Sequence, residues 1–156
     1  MCRTLLAASL LLMATISLAQ PPGSPAGRWK TIDDATGHAK AIVTLSEQNG
    51  VLSGTIEQVI ESDQGPNPLC LKCEGELKNK PLTGLRFLWE MRPNSVPPSA
   101  ANPNTTQWSG GQILDPKSGK VYRCTLTLAD GGQTLKVRGY LGTPMLGRTQ
   151  VWQRLK

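Results

Sequence analysis

The chain has one histidine, His38, among 156 residues, and only seven aromatic residues: four Trp, two Tyr and one Phe. Of the four cysteines, Cys2 lies in the N-terminal segment read below as cleaved, so a four-ligand zinc site in the mature chain would need His38 together with Cys70, Cys73 and Cys124, and no second closely spaced pair supports one. His38 follows Thr36-Gly37 at a turn, and nothing resembles a Gly-x-Ser-x-Gly elbow, so a serine hydrolase has no footing. Asp33 and Asp34 are adjacent and point to opposite sides of an extended chain, which removes them as a carboxylate pair. Gly119-Lys120 is no phosphate loop, because Val121 stands where Ser or Thr is needed and Leu114 stands where the first glycine belongs. No catalytic constellation remains, so no enzymatic activity and no cofactor are expected.

Runs of one charge are also missing. The 17 Lys and Arg against 11 Asp and Glu leave a formal charge of +6, but the basic residues are scattered. Scattered charge is a solvated surface and argues against nucleic acid as a partner. It leaves an acidic surface or a lipid headgroup open. No window carries a helical period of useful length, and no internal repeat is present.

The one long apolar run is Leu5–Leu18, 14 residues preceded by Arg3. A spanning helix needs about 20 residues, so this run is too short to stay in a membrane. Ser17 and Ala19 occupy the small positions of a small-x-small exit, and no cysteine follows the run to carry a lipid. The segment reads as a cleavable secretory signal, residues 1–19, followed by a Pro/Gly-rich linker, residues 20–26. The mature chain is expected to be secreted or periplasmic, to have no transmembrane segment, and to carry a charge of +5 once Arg3 is lost. Residues 27–156 are enough for one domain.

Within that domain, short alternating segments are separated by turn signals. Ala39, Ala41, Val43 and Leu45 share a face. Asn49-Gly50 is a hairpin turn, because both residues tolerate positive φ. Leu52, Ile56 and Ile60 form the next face. Leu85, Phe87, Trp89 and Met91 form another, and Tyr122, Cys124, Leu126 and Leu128 a fourth. Asp115–Gly119 and Asp130–Gly132 read as turns, and strands over 135–141 and 149–155 finish the chain. Regular short strands of this kind predict an all-β sandwich or barrel. Two segments break the rhythm: Glu61–Pro81, and Arg92–Thr106, which is rich in Pro, Asn and Ser.

Cys70-Leu71-Lys72-Cys73 sits in the first of these. A structural disulfide tying the loop to itself is the expected state in an oxidising compartment. A redox pair and a metal site stay open as alternatives. Cys124 falls on an apolar face and is expected to be a buried free thiol.

The combination Gly27-Arg28-Trp29, Cys70–Cys73, Trp108-Ser109-Gly110-Gly111, Asp115-Pro116, Gly119–Tyr122, Lys136–Tyr140 and Gly147–Gln150 ahead of Trp152 and Arg154 resembles the domain of unknown function 2147 family. These are small secreted bacterial proteins with a lipocalin-like barrel. The resemblance implies a small antiparallel up-and-down barrel of about eight strands. It further implies that Trp29 plugs the closed end, with a late basic residue, Arg138 or Arg154, across its ring. The leading function is binding of a small apolar or amphipathic molecule in a cup lined by Leu85, Phe87, Trp89, Met91 and Tyr122. Arg86 or Arg92 would meet a head group, and the Arg92–Thr106 loop would serve as a lid. The alternatives are an envelope or host-facing interaction protein with a filled core, and a redox or metal role for Cys70 and Cys73.

If the signal reading is right, N-terminal sequencing of exported protein finds Gln20 first. Exported protein that still begins at Met1 would overturn it.

Overall fold

A computed structural model describes residues 23–94 and 106–156. The signal segment 1–19 and the first part of the linker lie outside the described residues. Nine strand segments run along the chain: β1 (Gly27–Ile32), β2 (Ala39–Gln48), β3 (Val51–Val59), β4 (Arg86–Pro93), β5 (Gln107–Ser109), β6 (Gln112–Asp115), β7 (Lys120–Ala129), β8 (Thr134–Tyr140) and β9 (Arg148–Arg154). All pairings are antiparallel, consecutive strands pair except β5 with β6, and β9 returns to β1. β5 and β6 both lie between β4 and β7, as two halves of one strand broken at Gly110-Gly111. The result is a closed up-and-down barrel with eight strand positions. The only helical pieces among the described residues are short 3₁₀ turns at Gly75–Leu77, Asp130–Gly132 and Pro144–Leu146. No described helix is long and apolar enough to cross a membrane.

The local chemistry explains the path. Asn49 and Gly50 have φ of 52° and 74° and join β2 to β3, a two-residue hairpin with the positive φ values that strand twist demands. Asp33 accepts from the backbone N–H of Ala35 and Thr36 and turns the chain between β1 and β2. Val43, Leu45, Leu52, Ile56, Cys124, Leu126, Leu128, Leu135, Val137 and Trp152 are buried on the inner wall, which is the alternation expected of a barrel.

Two of the expected faces need correction. On β3, Ile42 pairs with Gln58 but Val43 pairs with Ile56, so an extra residue shifts the parity. Val59 is turned inward with its partner Ala41, and Ile60 is 46% exposed. On β4 the same thing happens twice. Gly54 pairs with Leu88 and Thr55 with Arg86, so Phe87 and Leu88 together oppose Gly54 and both are buried. Between Leu88 and Met91 another residue is inserted, and Glu90 takes φ 54°. Such bulges turn successive side chains to one face and reset the pattern beyond them. Leu85, Phe87 and Met91 are buried as expected, but Leu88 takes the inward place and Trp89 is only partly buried. Gly54 makes the double occupancy fit: a Cβ there would lie 2.8 Å from Leu45 Cδ2, 3.0 Å from Leu88 Cβ and 3.1 Å from Phe87 Cε1.

The strand directions define two ends. At one, Trp29 is fully buried, and Arg154 Cζ stands 4.2 Å from the centroid of its ring. The guanidinium donates to the carbonyls of Gly132 (2.6 Å), Ala26 (2.8 Å) and Ser24 (3.3 Å), while Trp29 Nε1 donates to Pro25 O at 2.8 Å. This closes the barrel. Arg138, the other candidate for that place, lies towards the opposite end, donating to Pro144 O, Met145 O and Thr149 Oγ1. Charge-assisted hydrogen bonds and a cation–π contact each contribute on the order of 1–3 kcal/mol. Arg154→Ala is therefore expected to cost ~2–4 kcal/mol in urea unfolding, and Arg154→Lys to recover only part, because an ammonium cannot fork to several carbonyls. A loss under ~0.5 kcal/mol for Arg154→Ala would remove this closure from the account.

Candidate functional site

The other end carries the loops 33–38, 60–85, 116–119 and 141–147. The loop 60–85 is the largest and has its own internal order. Leu69 bridges to Pro81, Cys70 N donates to Lys80 O at 2.8 Å, and Asn79 N donates to Cys70 O at 3.0 Å. The Gln64 amide closes a further ring by donating to Leu69 O and accepting from Leu69 N, both at 3.0 Å. Cys70 and Cys73 form a disulfide, with Cα atoms 5.3 Å apart, and both are buried. The loop packs against the turn between β6 and β7. Gly119, at φ 73°, lies so near Lys72 that a Cβ would land on the Lys72 carbonyl. Only glycine serves both needs there.

Ion pairs fasten the mouth loops. Arg148 makes a forked contact with Asp34, which holds the Asp34 carboxyl below the usual carboxylate range. Lys40 Nζ lies 3.0 Å from Glu61, and His38 Nδ1 lies 3.6 Å from the same carboxylate. Among the described residues no three His, Cys, Asp or Glu converge on a point.

The barrel interior is filled. Trp29, Val43, Leu45, Leu52, Phe87, Leu88, Met91, Trp108, Leu126, Leu135 and Trp152 occupy its floor and middle. Nearer the mouth, Ala41, Val59, Ile113 and Tyr122 are only partly buried. Thus Phe87 and Met91, expected to line a cup, are core residues. Trp89 lies off that inner face. Tyr122 is at the mouth. Arg92 is exposed at the closed end, since β4 runs from the mouth to that end. Arg92–Asn94 and Thr106, the described ends of the segment expected to serve as a lid, also lie at the closed end. Residues 95–105 lie outside the described residues.

Two open grooves flank the turn at Leu77. The larger, about 610 Å³, is lined by Leu77, Pro81, Thr83, Gly84 and Leu85, with Lys80 and Arg86 as cations and Glu76 as an anion. The smaller, about 330 Å³, lies between Cys73, Leu77, Leu114, Lys120, Val121 and Leu141. Of the expected ligand contacts, Leu85 and Arg86 therefore do meet, in a groove under the disulfide loop. Leu77, Lys80 and Pro81 were missed because the loop's fold is set by contacts with turn 116–119, which no periodicity reports.

Residues 27–154 match the profile of a family described as an uncharacterized protein conserved in bacteria, DUF2147. The chain belongs to the DUF2147 family. No curated protein matches it. The DUF2147 barrel is similar to the solved structure of protein HP1028 from the human pathogen Helicobacter pylori, a protein described as belonging to the lipocalin family. The TM-score is 0.67 at 18% identity, over 86% of this chain and 84% of that one. At that identity the likeness establishes the lipocalin-like fold.

Among the described residues the one free thiol is Cys124, on the inner wall of the DUF2147 barrel opposite Gly139. Burial pushes its pKa up from 9.0 to about 12. The folded thiol keeps its proton where the unfolded one loses it. Stability from this group is thus complete below pH 9 and is lost as pH rises toward 12. Relative to Cys124→Ala, the wild-type chain should lose up to ~1.4 kcal/mol per pH unit across that window in urea titrations. Identical slopes in the two proteins would show that the thiol is not buried. Intact mass of the chain from Gln20 onward after alkylation should find one reactive thiol, and only in unfolded protein.

Proposed function

We propose that this protein is exported and non-catalytic, and that it binds a small amphipathic anion in the groove beneath the Cys70–Cys73 loop. The observation that carries this reading is the pairing of apolar Leu77, Pro81 and Leu85 with cationic Lys80 and Arg86, which outnumber the groove's one carboxylate, Glu76, around about 610 Å³ of open space. That volume falls within the usual range for small-molecule sites, about 300–1,000 Å³. The filled barrel argues against a deep internal cup, so the ligand is short and lies under the loop. The disulfide supports a structural role for Cys70 and Cys73, bracing the loop whose residues Glu76, Leu77, Lys80 and Pro81 line the groove. The lipocalin-like fold is compatible with small-ligand binding.

A second reading, an envelope or host-facing interaction protein, draws on the filled core and on Met145 and Leu146, which are 89% and 82% exposed.

Calorimetric titration of the mature chain with alkanoates of increasing length distinguishes the two. Affinity should rise by ~0.8 kcal/mol for each methylene buried and level off once the groove is covered. Lys80→Glu with Arg86→Glu should weaken binding several-fold, and added salt should do the same. No heat at any chain length, or an unchanged affinity in the double variant, would discard the groove and leave the interaction reading ahead.

A further inference from the structure

The second half of the barrel is unusual in its charge. From Pro116 to Lys156 there are eight basic residues and one acidic residue, Asp130. The fold gathers this stretch into one wall, β7–β8–β9. In the pairing register Arg123 stands beside Tyr140, Lys136 beside Val151, and Arg138 between Thr125 and Thr149. These positions alternate with buried Cys124, Leu126, Leu135 and Val137, so they face outward. Lys120, Arg123, Lys136 and Arg138 form no salt bridge among the described residues, whereas Arg28 and Lys40 on β1 and β2 are paired with Glu57 and Glu61.

The same stretch holds five of the exposed large apolar side chains: Val121, Leu141, Met145, Leu146 and Val151. Met145 and Leu146 stand on the 3₁₀ turn Pro144–Leu146 at the mouth. The turn is held from below, since Arg138 donates to Pro144 O at 2.6 Å and to Met145 O at 3.3 Å. Exposed apolar side chains on a braced turn lose no loop entropy when they are buried elsewhere.

From these placements we propose that the Leu141–Gly147 turn and the outer β7–β9 wall dock the barrel on an anionic lipid surface, with Met145 and Leu146 entering the headgroup boundary. The charge pattern selects this occupant. Interfacial binding scales with the apolar area inserted plus attraction of cations to anionic lipid, and this surface offers both. A protein interface of standard size needs roughly 800 Å² of matched surface on each side, and two projecting side chains beside an unpaired cationic wall do not resemble its apolar centre. The proposal does not depend on the groove. Vesicle binding is read without alkanoate, so either can fail alone.

Flotation of the mature chain with phosphatidylcholine vesicles, with and without phosphatidylglycerol, tests it. The chain should float with the phosphatidylglycerol vesicles, less so as salt is raised, and poorly with phosphatidylcholine alone. Met145→Ser with Leu146→Ser should reduce the bound fraction at least roughly tenfold, as two inserted side chains are lost. Its thermal unfolding should be unchanged, because both residues are exposed. Arg123→Glu with Lys136→Glu should abolish the preference for phosphatidylglycerol. Wild-type protein that ignores both vesicles, or a Met145/Leu146 variant that floats as well as wild type, overturns the proposal. So does a dimer in sedimentation that the same variant dissolves while vesicles are ignored, because the turn would then be a protein contact.

Discussion

Closure of the first strand onto the last is the constraint on which the barrel depends, and Arg154 enforces it. β1 and β9 share only the pairs Trp29–Arg154 and Lys30–Gln153, a short seam compared with that between β7 and β8. The guanidinium covers the Trp29 ring and also holds the backbone at Ser24, Ala26 and Gly132. One side chain thereby joins the entering segment, the β7–β8 turn and the end of the chain. Burial lowers its pKa, but an arginine stays charged, so the contact persists across ordinary pH. With the seam held, the large residues of the floor can pack around Trp29.

That packing decides where function can reside. Phe87 and Leu88 both enter the interior opposite Gly54, and the Phe87 ring packs tilted by 48° against that of Trp152, centroids 6.0 Å apart. The barrel spends its volume on its own side chains. Concave surface survives at the mouth, where loop 60–85 lies against the turn at Gly119 and leaves grooves on both sides of Leu77. The disulfide loop is therefore the natural place for sequence to tune a ligand, and the exposed turn at Met145 the place to tune a surface. Met145 can vary without disturbing the core, being 89% exposed, whereas Leu77 packs against the core from the loop side.

Much of this was written in local sequence. Asn49-Gly50 specified a hairpin because positive φ is cheap there, and the alternation of Ala41, Val43 and Leu45 matched the inner wall. The spacing of Cys70 and Cys73 led to a loop staple, and the apolar strand position of Cys124 led to a buried thiol. The family resemblance was carried by glycine turns and tryptophans that sit at strand ends and in the floor. These features are short-range, so a few consecutive residues contain their whole cause.

The strands, most of the turns, the all-β class and the cysteine pair were thus legible residue by residue. Only the tertiary structure decided which face each β4 residue presents, because a bulge depends on what the partner strand leaves empty, here Gly54. It decided that Arg154 and not Arg138 meets Trp29, since both lie late in the chain and only strand direction separates their ends. It placed Arg92 at the closed end for the same reason. It also filled the cup that the periodicity of Leu85, Phe87 and Met91 had suggested. Whether inward side chains leave a cavity depends on volume summed over eight strand positions, and no single strand contains that sum.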